Sequence, residues 1–451
     1  MHNPMSTQLI DLLRDAKIDV IVSRAEKDPS IIGELSEHLK SEIRSIRFNA
    51  TVALGELGSK ATSAISKLTE RLEDEDWSVR REAARSLGRI GKPAAKAIPK
   101  ISKLLKDQEV SVRKQAAISL GDLGSGSSEA ISSLVTALKD NSDEVRMESA
   151  GALGRIGREA YKAIPDLIKA LKDESWAVRT AAARSIEKIG QGASEAIPSL
   201  MTALEDKDWR VRYRATSALA KIGDQAVPSL LKASEHPRAI VRRAAVEALG
   251  GTKLKEPKVV KALSARLHDR DEAVRGKAAD ALRSIGKGAV PALTEALKDG
   301  SEEVRCLAAG AIGGVGADAV DGIPSLVEAL RDGKRTVRTE AARALGRMGD
   351  AGSKGVLGLQ DALIDKDAIV RREAAIALGK IGSAAAKGAG ALVNLLQDKK
   401  DDVRWRAVEA LGKIGASGPE VVPAIKGMIH DKCDYVCEAA SEALDELGEE
   451  K

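Results

Sequence analysis

The chain has 451 residues, with 72 basic and 67 acidic side chains and a formal net charge of +5, so its surface is mixed and no basic tail stands out. Hydrophobic residues make up 43% and aromatics only 2%, so the core must come from Ala, Leu, Ile and Val, which with abundant Lys, Arg and Glu points to helices. The amphipathic start MHNPMSTQLIDLLRDAKID does not read as a signal peptide, and no run of about 18 apolar residues reads as a membrane span. Three cysteines (Cys306, Cys433, Cys437) argue for a reducing, cytoplasmic setting rather than a disulfide framework.

Residues 6–27 are helical in pattern but carry neither Val-Arg nor a closing glycine, so residues 1–29 are expected to form an N-terminal helical cap. From there on one phrase returns. Thirteen anchors, Ile46 followed by Val79 and its equivalents through Val436, are 33 residues apart except for two intervals of 30 (Val211 to Val241, Val274 to Val304). A fixed period in this range marks a solenoid of stacked units. Residues 30–420 are expected to form that repeat array and 421–451 its C-terminal cap, in one continuous domain.

Each unit spells two amphipathic helices. In Ile98 to Gly124, Pro99 opens the first, with Ile101, Leu104 and Leu105 on its apolar side. The second repeats apolar residues at Val112, Ala116, Leu120 and Leu123, one helical face. Gly124 is expected to end it with a positive φ, and its equivalent is Gly in twelve of thirteen units, Lys253 being the exception. A further glycine inside the second helix (Gly55, Gly88, Gly121, Gly154 and others) costs about 0.5–1 kcal/mol relative to Ala, so its return predicts close approach to a neighbouring helix. Arg follows the anchor in twelve units, and Asp precedes it by five residues in eleven. That Asp is expected to cap the second helix and to form a charge ladder with the Arg of its own or an adjacent unit.

The phrase P-x-L-x-x-A-L-x-D-x-x-x-x-V-R-x-x-A-A-x-A-L-G-x-I-G, nearly whole at Pro324 to Gly349, resembles the HEAT family in its short form, also found in phycobilisome-lyase-type proteins. The resemblance runs from about Ser30 to Gly448 and implies an all-α solenoid of about thirteen two-helix repeats with capping ends. The unit with His236-Pro237 is short, its ladder Asp is replaced by His236, and a change of curvature is expected there.

Catalytic patterns are scarce, so an enzyme is not expected and no cofactor is implied. No His begins the His-Glu pair that the di-iron hydroxylases of this repeat class require, and GAIGGVG (Gly310 to Gly316) lies on a second helix with no strand before it. His430, Cys433 and Cys437 are candidate zinc ligands, but no fourth ligand is obvious and Asp431 is already the ladder Asp, so they read first as part of the cap.

Function is then expected where units differ. Two residues past the anchor stand Phe48, Met147, Tyr213 and Trp405, in a row read either as exposed partner anchors or as covers of the grooves between units. Ten past it stand Arg89, Arg155, Lys188, Lys221, Arg347, Lys380 and Lys413, a basic stripe that compensates helix dipoles and can attract an acidic partner. Trp77, Trp176 and Trp209 are expected in the turn between helices, read either as packed over it or as marking an edge binding surface. The leading expectation is a non-enzymatic scaffold that binds a protein, an acidic or extended segment, on a concave second-helix surface. The alternatives are nucleic acid along the basic stripe and, by resemblance, a phycobilin lyase or its subunit.

Overall fold

A computed structural model describes residues 4–415 and 418–449. Among these residues there are 28 α-helices, thirteen 3-10 helices and no strand. The chain divides into two compact units, Met1–Ser229 and Leu230–Lys451, each a stack of helix pairs. The division falls within helix Val227–Ala233, the first helix of the repeat in which His236 replaces the ladder Asp.

Sequence periodicity and structure agree on the pair. Second helices such as Trp77–Ile90 and Val110–Leu123 run 14 residues, and all the anchors on them are buried. First helices are shorter, six or seven residues in Ile98–Lys103 and Ile164–Ala170. The sequence did not show the 3-10 run that leads into many of them, Lys92–Ala97 for example. That run places Pro99 as the second residue of its helix, not the first, still within the turn whose N–H groups lack helical partners. Before the repeats come two helices, Pro4–Arg14 and Ile18–Lys27.

The closing glycine has a positive φ at eleven of its twelve positions, and Lys253 also has a positive φ, 56. Gly124 does not: its φ is −81, and the reversal is made by Gly126 at φ 80. Gly124 is small for another reason. A Cβ there would lie 2.3 Å from the Leu120 carbonyl oxygen and 2.9 Å from Ala130 Cβ.

The glycines inside the second helices make the expected close approach. Each faces a small residue 31 positions on, in the next second helix: Gly55 faces Ser86, Gly88 Ser119, Gly154 Ser185, Gly250 Ala281, Gly313 Ala344 and Gly346 Ala377. In the first unit the serine hydroxyls also donate to carbonyls of the preceding second helix, Ser86 to Thr51 at 2.9 Å, Ser119 to Ala84 at 2.7 Å and Ser185 to Ala150 at 2.7 Å. In the second unit the facing residue is Ala and there is no such bond. A Cβ on Gly313 would sit 2.5 Å from Ala344 Cα.

One stretch, Glu302–Ala329, is long and apolar enough by composition to cross a membrane. It is not a single rod. Helix Glu302–Val315 ends at Gly316, a 3-10 run follows with non-helical backbone at Ala319, and Ile323–Ala329 begins the next unit.

Candidate partner-binding surface

Within each compact unit a charge ladder joins most repeats to the next. Arg80 donates from Nε and Nη2 to the two Asp107 oxygens at 2.7 and 3.0 Å. Its Nη1 donates back to the Asp74 and Glu75 carbonyls at 2.9 and 3.0 Å. The same bidentate pair joins Arg47 to Asp74, Arg113 to Asp140, Arg146 to Asp173 and Arg179 to Asp206 in the first unit. In the second unit it joins Arg242 to Asp269, Arg305 to Asp332, Arg338 to Asp365, Arg371 to Asp398 and Arg404 to Asp431. Such planar, charge-assisted pairs fix geometry as well as adding energy. Burial works to raise the Asp107 carboxyl, but the Arg80 bonds, the Glu109 N–H and the charges of Arg80 and Arg113 outweigh it and hold it below its usual range.

The ladder Asp caps a turn and not the helix, contrary to the sequence reading. Asp74 accepts from the Asp76 N–H at 3.0 Å, and Asp76 in turn caps helix Trp77–Ile90 through the Ser78 N–H at 2.9 Å. Asp208, Asp271 and Asp367 cap their helices in the same way. The signal that identifies these caps is the recurring Asp-x-Asp.

The expected row of anchors is uneven. Tyr213 is exposed, while Phe48, Met147 and Trp405 are half-buried. Trp405 lies edge-on to Tyr435 with ring centroids 5.5 Å apart, and Arg406 covers its ring at 3.7 Å. Arg44 stands 5.8 Å from the Phe48 ring. The basic stripe is exposed, but four of its seven cations are held in ion pairs. Arg89 pairs with Glu56, Arg155 with Asp122 at 3.1 Å, Arg347 with Glu340 at 2.5 Å and Lys413 with Glu409 at 2.5 Å. Lys188, Lys221 and Lys380 stand exposed between them.

The three tryptophans are not in the turn. Trp77, Trp176 and Trp209 are each the first residue of a second helix, and instead of packing over the turn Trp176 is 41% and Trp209 64% exposed. The turn is held instead by the Arg and Asp of the ladder.

A groove lies wholly in the second unit, on its second-helix layer. It has a volume of about 750 Å³, a floor that includes Gly276, Cys306 and Gly310, and walls that include Arg283 and Arg343. Its origin is legible in the packing. Where nine other second helices place a glycine, helix Glu272–Ile285 has Arg283, and the residue facing it is Gly314, whose Cβ would lie 2.3 Å from Arg283 Cδ. This helix meets Glu302–Val315 over a shorter stretch than any other second-helix pair of the unit. The ladder also fails here. Asp299 is taken by His268 at 2.7 Å, so Arg275 turns to Glu303 at 2.7 Å. Thr339 lines the groove at 7% exposure, and its hydroxyl has no hydrogen-bond partner. Cys306 is half-buried in the floor, and burial pushes its thiol up.

At the C-terminal end, His430, Cys433 and Cys437 are not gathered into a metal-binding group; among the described residues no three His, Cys, Asp or Glu are so placed. Cys433 Sγ points to Asp401 at 3.8 Å. Cys437, in the position of the ladder Arg, donates to the Asp431 carbonyl at 3.1 Å.

A family model for HEAT repeats matches residues 65–154, 98–171, 131–202, 164–250, 227–301, 290–358 and 356–445. The chain belongs to the HEAT-repeat family. No curated protein matches it. Among solved structures, its HEAT stack is similar to the karyopherin Kap121p bound to the extreme C-terminus of the protein phosphatase Cdc14p, with TM-score 0.60 and 16% identity over 95% of this chain and 56% of that one. It is also similar to Kap121p bound to Nup53p (TM-score 0.60, 16% identity, 95% of this chain and 55% of that one). Kap121p bound to the SUMO protease Ulp1p gives TM-score 0.60 at 14% identity, over 99% of this chain and 60% of that one. The chain thus spans a little over half the length of these karyopherins, and at such identities the likeness is one of fold.

Proposed function

We propose that this HEAT-repeat chain is a non-enzymatic scaffold that holds an extended protein segment against its second-helix layer. The observation that carries this reading is the groove of the second unit. It opens where two features that close the other joints are replaced together, Gly by Arg283 and the Arg–Asp pair by Arg275–Glu303. Its volume, about 750 Å³, is in the range of ligand-binding clefts. Glycine-to-small contacts draw second helices together more closely than first helices approach, which is the physical reason to expect the second-helix side of each unit to be concave. Kap121p, a fold relative, has been crystallised with the C-terminal segment of a partner, so a stack of this kind can hold a protein segment.

The acidic preference expected from the basic stripe is narrowed by the four ion pairs found in it, which leave Lys188, Lys221 and Lys380 to act. The same pairs weaken the case for nucleic acid, whose binding relies on cations neutralising phosphates. The test is to fill the groove. A Cβ on Gly276 meets nothing within 4 Å, so Gly276→Trp fills the floor without disturbing the helix. Affinity capture after nuclease treatment should recover a protein with the native chain and lose it with G276W. Equal recovery by both chains would remove the groove from the reading, and loss on nuclease treatment would move the weight to nucleic acid.

A further inference from the structure

We infer that the first unit carries a second docking surface, built by Trp176, Trp209, Arg210 and Tyr213, for an acidic segment bearing an aromatic or aliphatic anchor. It is separate from the groove and does not depend on it.

Trp209 and Tyr213 are one turn apart on helix Trp209–Ile222, so they share a face. They are 64% and 52% exposed, in a chain with only four Trp, three Tyr and one Phe. Leaving two large rings in water forgoes stabilisation that burial would supply at about 25 cal/mol per Å². Beside them Arg210 lies flat on Trp176, 3.3 Å from its ring centroid, on the neighbouring second helix. Asp208 clamps that guanidinium at Nε (3.0 Å) and Nη2 (2.7 Å). The stack fixes Arg210 before any partner arrives and leaves its Nη1 edge for a carboxylate. Less side-chain entropy is then lost on binding. Trp, Tyr and Arg are the residue types that dominate interface hot spots.

Charge sets the partner. Helix Trp209–Ile222 carries Arg210, Arg212, Arg214 and Lys221 and no acidic residue. Of the acids near it, Asp208 is spent on Arg210, Asp206 is held by Arg179, and Glu187 lies 3.5 Å from Arg214. Arg214 also stands 5.4 Å from the Tyr213 ring. The surface therefore offers exposed rings within a net positive field. Nucleic acid fits less well, because Arg210 already covers a face of the Trp176 ring on which a base would stack, and Asp208 stands beside it.

The experiment is selection of a random displayed peptide library on the full chain, followed by affinity measurement of the enriched peptides. The expected result is a family in which acidic residues flank an aromatic or aliphatic one. Its affinity should fall at least about tenfold on W209A/Y213A and on R210E, and stay unchanged on G276W. Both rings replaced are more than half exposed, so W209A/Y213A should melt as the native chain does, and R210E, at a half-buried side chain, removes the cation while keeping both rings. Enrichment of no family, of one lacking acids, or of one that binds W209A/Y213A unchanged would overturn the proposal. Binding of an oligothymidylate lost in the same variant would overturn it in favour of nucleic acid. Because G276W acts only on the groove, failure of this surface and failure of the groove reading are told apart.

Discussion

Helix Glu302–Val315 has two neighbours in its layer, and it is closed against one and open against the other. Towards Arg335–Arg347 its Gly313 meets Ala344, and Arg305 grips Asp332 at 2.7 and 3.0 Å. Towards Glu272–Ile285 its Gly314 meets Arg283, and the ladder pair is replaced by Arg275–Glu303 and His268–Asp299. One helix gives both joints, so closure is not a property of its composition. It belongs to two pairings, a glycine against a small residue and an arginine against the next unit's aspartate. The joint between Glu272–Ile285 and Glu302–Val315, which loses both, is the one that lines the groove.

The sharpest way to break the comparison is to overfill the closed joint. A Cβ on Gly313 would lie 2.5 Å from Ala344 Cα and 2.7 Å from its Cβ, atoms that no side-chain rotation can move aside. Gly313→Leu is expected to cost about 3 kcal/mol in denaturant unfolding. Gly276→Leu, on the open joint, meets nothing within 4 Å and should be neutral or gain up to about 1 kcal/mol from the lost helix glycine. Equal costs would show that the two joints are packed alike.

The ladder gives the next contrast. Arg305 and Asp332 are mostly buried, with side-chain exposures of 13% and 15%. Removing Arg305 strands a carboxylate, and Arg305→Ala should cost about 2 kcal/mol. Glu303 is half-exposed, so Arg275→Ala should cost less than about 1 kcal/mol in the same measurement.

Acid extends the contrast. Burial works to raise the Asp332 carboxyl, but Arg305, the Lys334 N–H and the charges of Arg305 and Arg338 hold it below its ordinary 3.8. Asp299 is also lowered, by the Ser301 N–H first and by His268. A carboxyl depressed in the folded state adds stability that is present above its unfolded pKa and lost as pH falls through the folded one. Stability should therefore drop below about pH 4, where these carboxylates take up protons. Asp332→Asn should flatten that drop more than Asp299→Asn, because Asp299 is the more solvated of the two. The reverse order in acid titrations followed by circular dichroism would place the stronger pair at the open joint.

The period, the two helices, the buried anchors and the mid-helix glycines were legible because each is a local pattern repeated many times. The direction of the ladder was not: the Arg80 guanidinium reaches Asp107, 27 residues on, while the carbonyl it caps belongs to Asp74 of its own unit, and sequence allows either acid. Nor could spacing show that Gly124 is small for room while Gly126 makes the turn, since both are glycine. The neutralisation of Arg89 and Arg155 was not legible either, because their partners Glu56 and Asp122 stand at the same position one repeat earlier and only the stacking brings them together. The groove was missed for a related reason. It comes from the substitution of Arg283 for a glycine in a unit whose interval is 30 and not 33, so the facing residue, Gly314, falls out of register with the repeat.

The smallest effect asks whether the open joint is merely loose or is kept open for an occupant. Thr339 Oγ1 is buried beside the groove without a partner, which costs stability with no return in the empty protein. Valine has the same shape and no hydroxyl, so Thr339→Val should stabilise the chain by about 1 kcal/mol in thermal unfolding. If the hydroxyl waits for a polar group of the bound segment, the same variant should weaken capture of the partner that G276W abolishes. Stabilisation with undiminished capture would make Thr339 a packing defect. Stabilisation with weakened capture would mean that the unpaired hydroxyl at the open joint is retained, at the expense of stability, for what the groove binds.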